Sequence, residues 1–397
     1  MIYNFDLQID RRATNCVKWD EFSDPDIIPL WVADMDFETA PCILEAVRKR
    51  AEHGCFGYTH VPESFYQATI DWFRRRHGWT ISRRSFIYTI GVVPALSAIV
   101  KAMTSPGDKV LIQSPVYNCF FSSIRNNGCT IVENELLQDD TVSIDWEQFE
   151  RQCSDPAVKL FILCNPHNPV GRVWTRDELL RMGNICMKHG VFVLSDEIHC
   201  EFVYSKDAPY TPFASLSDEF AQRSVVCVSP SKAFNIAGLQ IANIIAPDAD
   251  VRQRIDRAIN QNEICDVNPF GVLALQAAYS REGEEWLDQL CDYIHENYLM
   301  VRQMLADNLP QLYINPLEGT YLMWVNIRSL GMSSKQVSDM LLRKAKVYVN
   351  PGSMYGEKAG EGYIRINLAT RRSLLREGIQ RIINAIMTPP LPSQVRG

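Results

Sequence analysis

No C-x-x-C pair, no block of lysine and arginine, no internal repeat and no low-complexity tract occurs in this chain of 397 residues. No apolar run reaches the length of a membrane-spanning helix. With a formal net charge of -7 and no basic stripe, nucleic-acid binding has little electrostatic support. The first twenty residues mix Asp6, Asp10, Arg11, Arg12 and Lys18 with apolar side chains, which fits neither a secretory signal nor a transit peptide. The 12 cysteines are scattered, several inside apolar runs, and read as free thiols of a reducing cytoplasm. His199-Cys200-Glu201 matches half of a zinc-deaminase pattern, but no P-C-x-x-C follows, so no metal is expected.

What is present is an alternation of short apolar runs with helical patterns. Residues 86–90, 109–113, 158–164, 191–195, 225–228 and 241–246 read as strands, and 94–103 and 176–189 as helices. Such alternation predicts an α/β fold with a mostly parallel sheet flanked by helices. Residues 271–309 read as two long helices. Three more strands (321–326, 346–350 and 363–368) and a last helix near 371–387 predict a smaller α+β domain. The expected division is an N-terminal segment 1–45, a large domain 46–283 and a small domain 284–397. The proline-rich tail 389–393 reads as loose.

Lys232 draws the chemistry together. It stands in Ser229-Pro230-Ser231-Lys232-Ala233-Phe234-Asn235, between two strand-like runs. Burying an amine there is costly unless its chemistry is used. Asp196 follows an apolar run, as does Asn168 in Asn165-Pro166-His167-Asn168-Pro169. Ligands of parallel sheets bind at the carboxyl ends of strands, where all three fall. An amine, a carboxylate and an amide placed so match the needs of pyridoxal phosphate: covalent attachment, a partner for the ring nitrogen and a donor to the ring 3-oxygen. Lys232 would also move the substrate Cα proton. Asp196 alone would read equally as a helix N-cap, and Asn168 as an Asn-Pro turn.

Gly91-Val92-Val93-Pro94 follows a strand and opens a helix, a place where the Val92 and Val93 amides can hold a phosphate. Ser229 and Ser231 can add hydroxyl donors, and Tyr117 can stack on the ring. Arg365, amid apolar residues in Tyr363-Ile364-Arg365-Ile366, suits a substrate carboxylate or a structural ion pair.

These motifs, with Pro29-Leu30-Trp31-Val32-Ala33-Asp34-Met35-Asp36-Phe37 and Asp196-Glu197-Ile198-His199, resemble the class I/II aminotransferase superfamily of fold-type I pyridoxal-phosphate enzymes. The finer resemblance is to its MalY/PatB-type cystathionine β-lyases. It implies that Tyr58 reaches the phosphate of a neighbouring subunit in a homodimer. It also implies that Tyr117 stacks and acts at the catalytic centre, that Arg365 and Ala33 bind substrate, and that His199 stands where many aminotransferases place a tyrosine. Gln240 stands where many have a phosphate-binding arginine. The implied activity is cleavage of cysteine S-conjugates to thiol, pyruvate and ammonia. An aminotransferase on the same scaffold would need a second substrate site, for which Arg12, Arg125 and Arg371 are candidates. A regulator that binds the cofactor without turnover is the third reading, and the stretch before Pro29 is too short for a fused DNA-binding module.

Overall fold

The computed structural model describes residues 2–139, 141–205, 209–264 and 266–388, so the expected loose tail lies outside them. Seven strands form the central sheet: β1 Phe86–Thr89, β2 Lys109–Ser114, β3 Thr130–Glu135, β4 Val158–Cys164, β5 Phe192–Asp196, β6 Ser224–Val228 and β7 Ala242–Ile245. Their spatial order is β1-β7-β6-β5-β4-β2-β3. Only β7 runs antiparallel to its neighbours; β6-β5-β4-β2-β3 is parallel throughout. The central strands β4 and β6 are apolar over most of their length, apart from Lys159 and Ser224 near their starts, because helices cover both faces.

The principal helices around this sheet are α1 Pro41–Glu52, α2 Glu63–His77, α3 Val92–Met103, α4 Asn118–Asn126, α5 Arg176–His189 and α6 Ala249–Asn260. After them come α7 Pro269–Ala278, α8 Arg281–Asn308 and α9 Arg372–Met387. The strand expected at 346–350 is split: Val347–Tyr348 pairs in parallel with Ile28–Pro29, and β10 Asn350–Pro351 joins a separate sheet. That four-stranded sheet has the order β8 (Tyr313–Ile314), β9 (Leu322–Asn326), β11 (Tyr363–Asn367), β10.

Two readings need correction. Strand β3 is missing from the sequence-based set because its run TIVENE lies at the sheet edge and holds only two apolar residues, Ile131 and Val132. The boundary expected after 283 falls in the first turn of α8, which starts at the Ser280 N-cap and continues unbroken to Asn308. One apolar core includes Phe5, Leu30 and Met35 from the N-terminal segment, Trp72 of α2, Trp286 of α8 and Ile366 of β11. The N-terminal segment is thereby packed against both the last helices and the small sheet.

Candidate active site

A cavity of about 270 Å³ opens where the carboxyl ends of β4, β5 and β6 meet the N-terminus of α3. Its lining includes Ala33, Val92, Val93, Tyr117, Asn168, Asp196, His199, Ser231, Lys232 and Gln240. The topology explains the meeting. Asp196 is the last residue of β5, while Asn168 and Lys232 each stand a few residues beyond the ends of β4 and β6.

The charged groups here are buried and poorly paired. Asp196 is 3% exposed and accepts one hydrogen bond, from the Ile198 N–H at 3.2 Å. Burial pushes its carboxyl up to about 7, against the smaller downward pull of that bond and of Lys232. No helix starts at Asp196: the Ile198 bond belongs to a turn that follows the strand, so the N-cap reading does not hold. Burial also lowers the Lys232 amine from its usual range, with Asp34 and Asp196 pulling the other way and Arg365 adding to the fall. Its Nζ donates to the Ala33 carbonyl at 2.7 Å.

Arg365, on β11, is 3% exposed, and no carboxylate among the described residues pairs with it. Its guanidinium donates to Asn168 Oδ1 at 3.2 Å and to the Trp31 carbonyl at 2.8 Å, and its Nε has no partner. The bond to Asn168 occupies that amide's oxygen, which leaves its NH2 as the end able to donate to a ligand. His199 is buried with Nδ1 unpartnered, and burial lowers it to about 3, so the ring is neutral.

A segment the sequence showed only as a motif closes one side. Asn367 holds the Val32 and Asp34 carbonyls, and Asn350 holds that of Trp31. Asn235, at φ 55, brackets Met35 and Phe37. Arg11 and the buried Lys18 neutralise Asp34 and Asp36 behind it. Residues 31–37 thus form a strap anchored from three directions. Tyr321, read from sequence only as the start of a strand, donates to the Ala33 carbonyl at 2.9 Å. The Gly319-Thr320 pair before it was the available signal, since a glycine at a strand entrance marks close backbone approach.

The remaining expected residues divide. Tyr117 borders the cavity at the head of α4. Ser229 is not in the lining: its hydroxyl donates to the Ile241 carbonyl at 2.6 Å and accepts from Ser231 N–H, so it braces the lysine loop. Tyr58 stands outside the lining and is 98% exposed. Arg12 and Arg371 are engaged with the Pro25 carbonyl and with Ser373, Arg125 lies over the Phe121 ring, and none lines the cavity.

These features fit pyridoxal phosphate. The cavity offers an orphaned buried nitrogen on His199 and a carboxyl with no cation in contact, and Arg365, with a second orphaned nitrogen, abuts it through Asn168. The Val92 and Val93 amides lie in the first turn of α3, where no intrahelical acceptor exists and Gly91 provides no side-chain cap. The class I and II aminotransferase model matches residues 25–382. The chain belongs to that family. Among members of the family, cystathionine beta-lyase PatB of Bacillus subtilis (strain 168) is 43% identical over 388 residues, covering 96% of this chain and 100% of that protein. Protein MalY of Escherichia coli (strain K12) is 33% identical over 394 residues, covering 97% and 99%. The crystal structure of cystalysin from Treponema denticola, which contains pyridoxal 5'-phosphate, superposes with a TM-score of 0.93 at 34% identity, covering 97% of this chain and 99% of that one.

Proposed function

We propose that this chain is a pyridoxal-phosphate-dependent carbon–sulfur β-lyase. It cleaves cystathionine or a related cysteine S-conjugate, with one water, to a thiol, pyruvate and ammonia. The carrying observation is a single cavity that joins a lysine amine and a buried carboxyl without a cation, with a buried arginine that lacks a carboxylate hydrogen-bonded to Asn168 of its lining. The choice of lyase within the family follows relatives that bear that name.

Bound pyridoxal phosphate supplies a sink for the electron pair released at the substrate Cα. The protein's residues do the rest. Asp196 holds the proton of the ring nitrogen, which supplies the cation its carboxyl lacks. Asn168 and His199 would serve the ring oxygen, the Val92 and Val93 amides with Ser231 would hold the phosphate, and Tyr117 would pack on the ring. Arg365 takes the substrate carboxylate, for which its unpaired, desolvated guanidinium is suited. Lys232 moves the Cα proton at Nζ. Arg12, Arg125 and Arg371 are spent elsewhere, so no second carboxylate site of the kind a transaminase uses is built from them.

The same reading includes a homodimer in which Tyr58 completes the partner's phosphate site. It is supported by the exposure of two aromatic side chains, Phe56 and Tyr58, close together in one loop. It also includes a small domain joined by the N-terminal segment, and a cytoplasmic location. No described helix is long and apolar enough to cross a membrane.

The deciding experiment gives the loaded protein L-cystathionine without any 2-oxo acid and measures pyruvate, ammonia and thiol. Equal yields over many turnovers support the lyase. Conversion of the cofactor to its amine form without pyruvate assigns a transaminase instead.

A further inference from the structure

The chain enters β9 through an unusual turn. Thr320 has φ 65, a left-handed conformation that a β-branched residue adopts at a cost. Gly319 before it has no room for a side chain: a Cβ there would lie 2.8 Å from the Phe202 carbonyl oxygen and from a Val173 methyl. The Glu318 and Gly319 amides both donate to the Gly171 carbonyl at 2.9 Å, and the Thr320 amide donates to that of Phe202 at 3.0 Å. A backbone outlier pinned this thoroughly points to a side chain whose direction matters.

That side chain is Tyr321. It is fully buried, with its ring edge-on to His199 at 5.6 Å and to Phe202 at 4.9 Å. Its hydroxyl donates to the Ala33 carbonyl, the oxygen that also accepts from Lys232 Nζ. A carbonyl oxygen has two acceptor sites, and here one donor is a rigid aromatic arm while the other is a flexible four-carbon amine.

We propose that Tyr321 is a positioning residue for Lys232: the strained turn fixes its hydroxyl on the Ala33 carbonyl, and that carbonyl is where the lysine amine rests whenever it is not covalently engaged. Without a fixed acceptor the amine samples many rotamers. With one, it stays beside the substrate Cα, where orientation is worth a large rate factor. The inference rests on the reading of Lys232 as the proton carrier.

The test is Tyr321→Phe in the full chain. The phenyl ring retains the packing against His199 and Phe202, and a melting temperature within ~4 °C of the native protein is expected. In cofactor-free protein, reductive methylation of Lys232 is followed by peptide mass spectrometry across a pH series. Loss of the competing donor leaves the Ala33 oxygen to the ammonium alone, so the labelling midpoint moves up by about half a pH unit. In the loaded enzyme, kcat falls roughly tenfold with a smaller change in KM, and the isotope effect of Cα-deuterated substrate rises. A native labelling midpoint together with a native isotope effect would make Tyr321 a packing residue and overturn the proposal. Should Tyr321→Phe fold poorly, Thr320→Gly keeps the hydroxyl and relaxes the turn. A loss of about threefold in kcat with a raised isotope effect supports the proposal, and native behaviour sinks it. If Lys232→Ala retained C–S cleavage, the reading of Lys232 would fail, whereas the labelling result would still decide where its amine rests.

Discussion

Asp196 and Glu201 are both buried carboxyls at the end of β5 and in the stretch beyond it, yet they face opposite fates. Asp196 looks into the cavity and is raised to about 7 by burial. Glu201 is pushed up by burial too, but His77, Arg76 and the Trp72 indole N–H hold it at about 2. The contacts are close: 2.9 Å to His77 Nε2, 2.9 Å to Arg76 Nε and 2.7 Å to Trp72 Nε1. Burial alone therefore does not determine a charge; the partners already installed do. Glu201 has a cation, Arg76, built in beside it, and its contacts tie α2 to the stretch after β5. Asp196 has none, which marks a site that gains its cation from a ligand. Although His77, Cys200 and Glu201 bring metal-ligand atoms together, Arg76 already supplies the positive charge beside them.

The comparison breaks most visibly at Asp196 itself. Asp196→Asn should lower kcat by roughly 10³-fold, because an amide cannot hold the ring-nitrogen proton, while the folded protein stays at least as stable. Steady-state kinetics beside thermal melts of the cofactor-free variant check this, and an unchanged kcat would remove Asp196 from the chemistry. Glu201→Gln should do the reverse. Arg76 keeps Asp288 and Glu284 but loses its buried partner, which should cost about 1–3 kcal/mol in denaturant unfolding, with kcat altered by only a few fold in the fraction that folds. Loss of turnover without loss of stability would show that the division between the two carboxyls is misdrawn.

Arg365 sharpens the contrast from the other side of the cavity, being a buried cation without an anion. Arg365→Lys should raise KM by ~10–100-fold with a smaller fall in kcat, since an ammonium cannot match the bidentate geometry. A KM within twofold of native would deny it the carboxylate. A slope with pH follows from the same burial. A carboxyl raised in the folded state makes the unfolded state the more readily ionised one. Asp196 should therefore erode the stability of cofactor-free protein as pH rises from about 4 to about 7, by at most ~1.4 kcal/mol per unit. Glu201 contributes with the opposite sign: its stabilisation is present above about 4.5 and is lost as pH falls toward 2. Relative to native protein, Asp196→Asn should gain stability across the first window; a parallel curve would contradict the buried, unpaired state of that carboxyl.

Much of the sheet could be read from local pattern. Strands buried on both faces carry long apolar runs, so β4 (160–164 apolar) and β6 (225–228 apolar) stand out, whereas the edge strand β3 does not. Lys232, Asp196 and Asn168 were legible because each combines a polar residue with the end of such a run. The bond from Ser229 to the Ile241 carbonyl was not legible, because a hydroxyl two residues before Ser231 reads the same whatever it faces. Tyr321 was hidden for a related reason: nothing near it in sequence shows that its hydroxyl meets Ala33, which lies 288 positions away.

By itself, then, the sequence determined the strand–helix alternation and the residue types at strand ends, since periodicity and burial cost act over a few neighbouring residues. Only the tertiary structure decided which carboxyl is neutralised and which is left waiting, that the strap 31–37 closes the cavity, and that two distant donors share one carbonyl. Those outcomes depend on distances of a few ångströms between segments far apart in the chain, and local pattern holds no record of them.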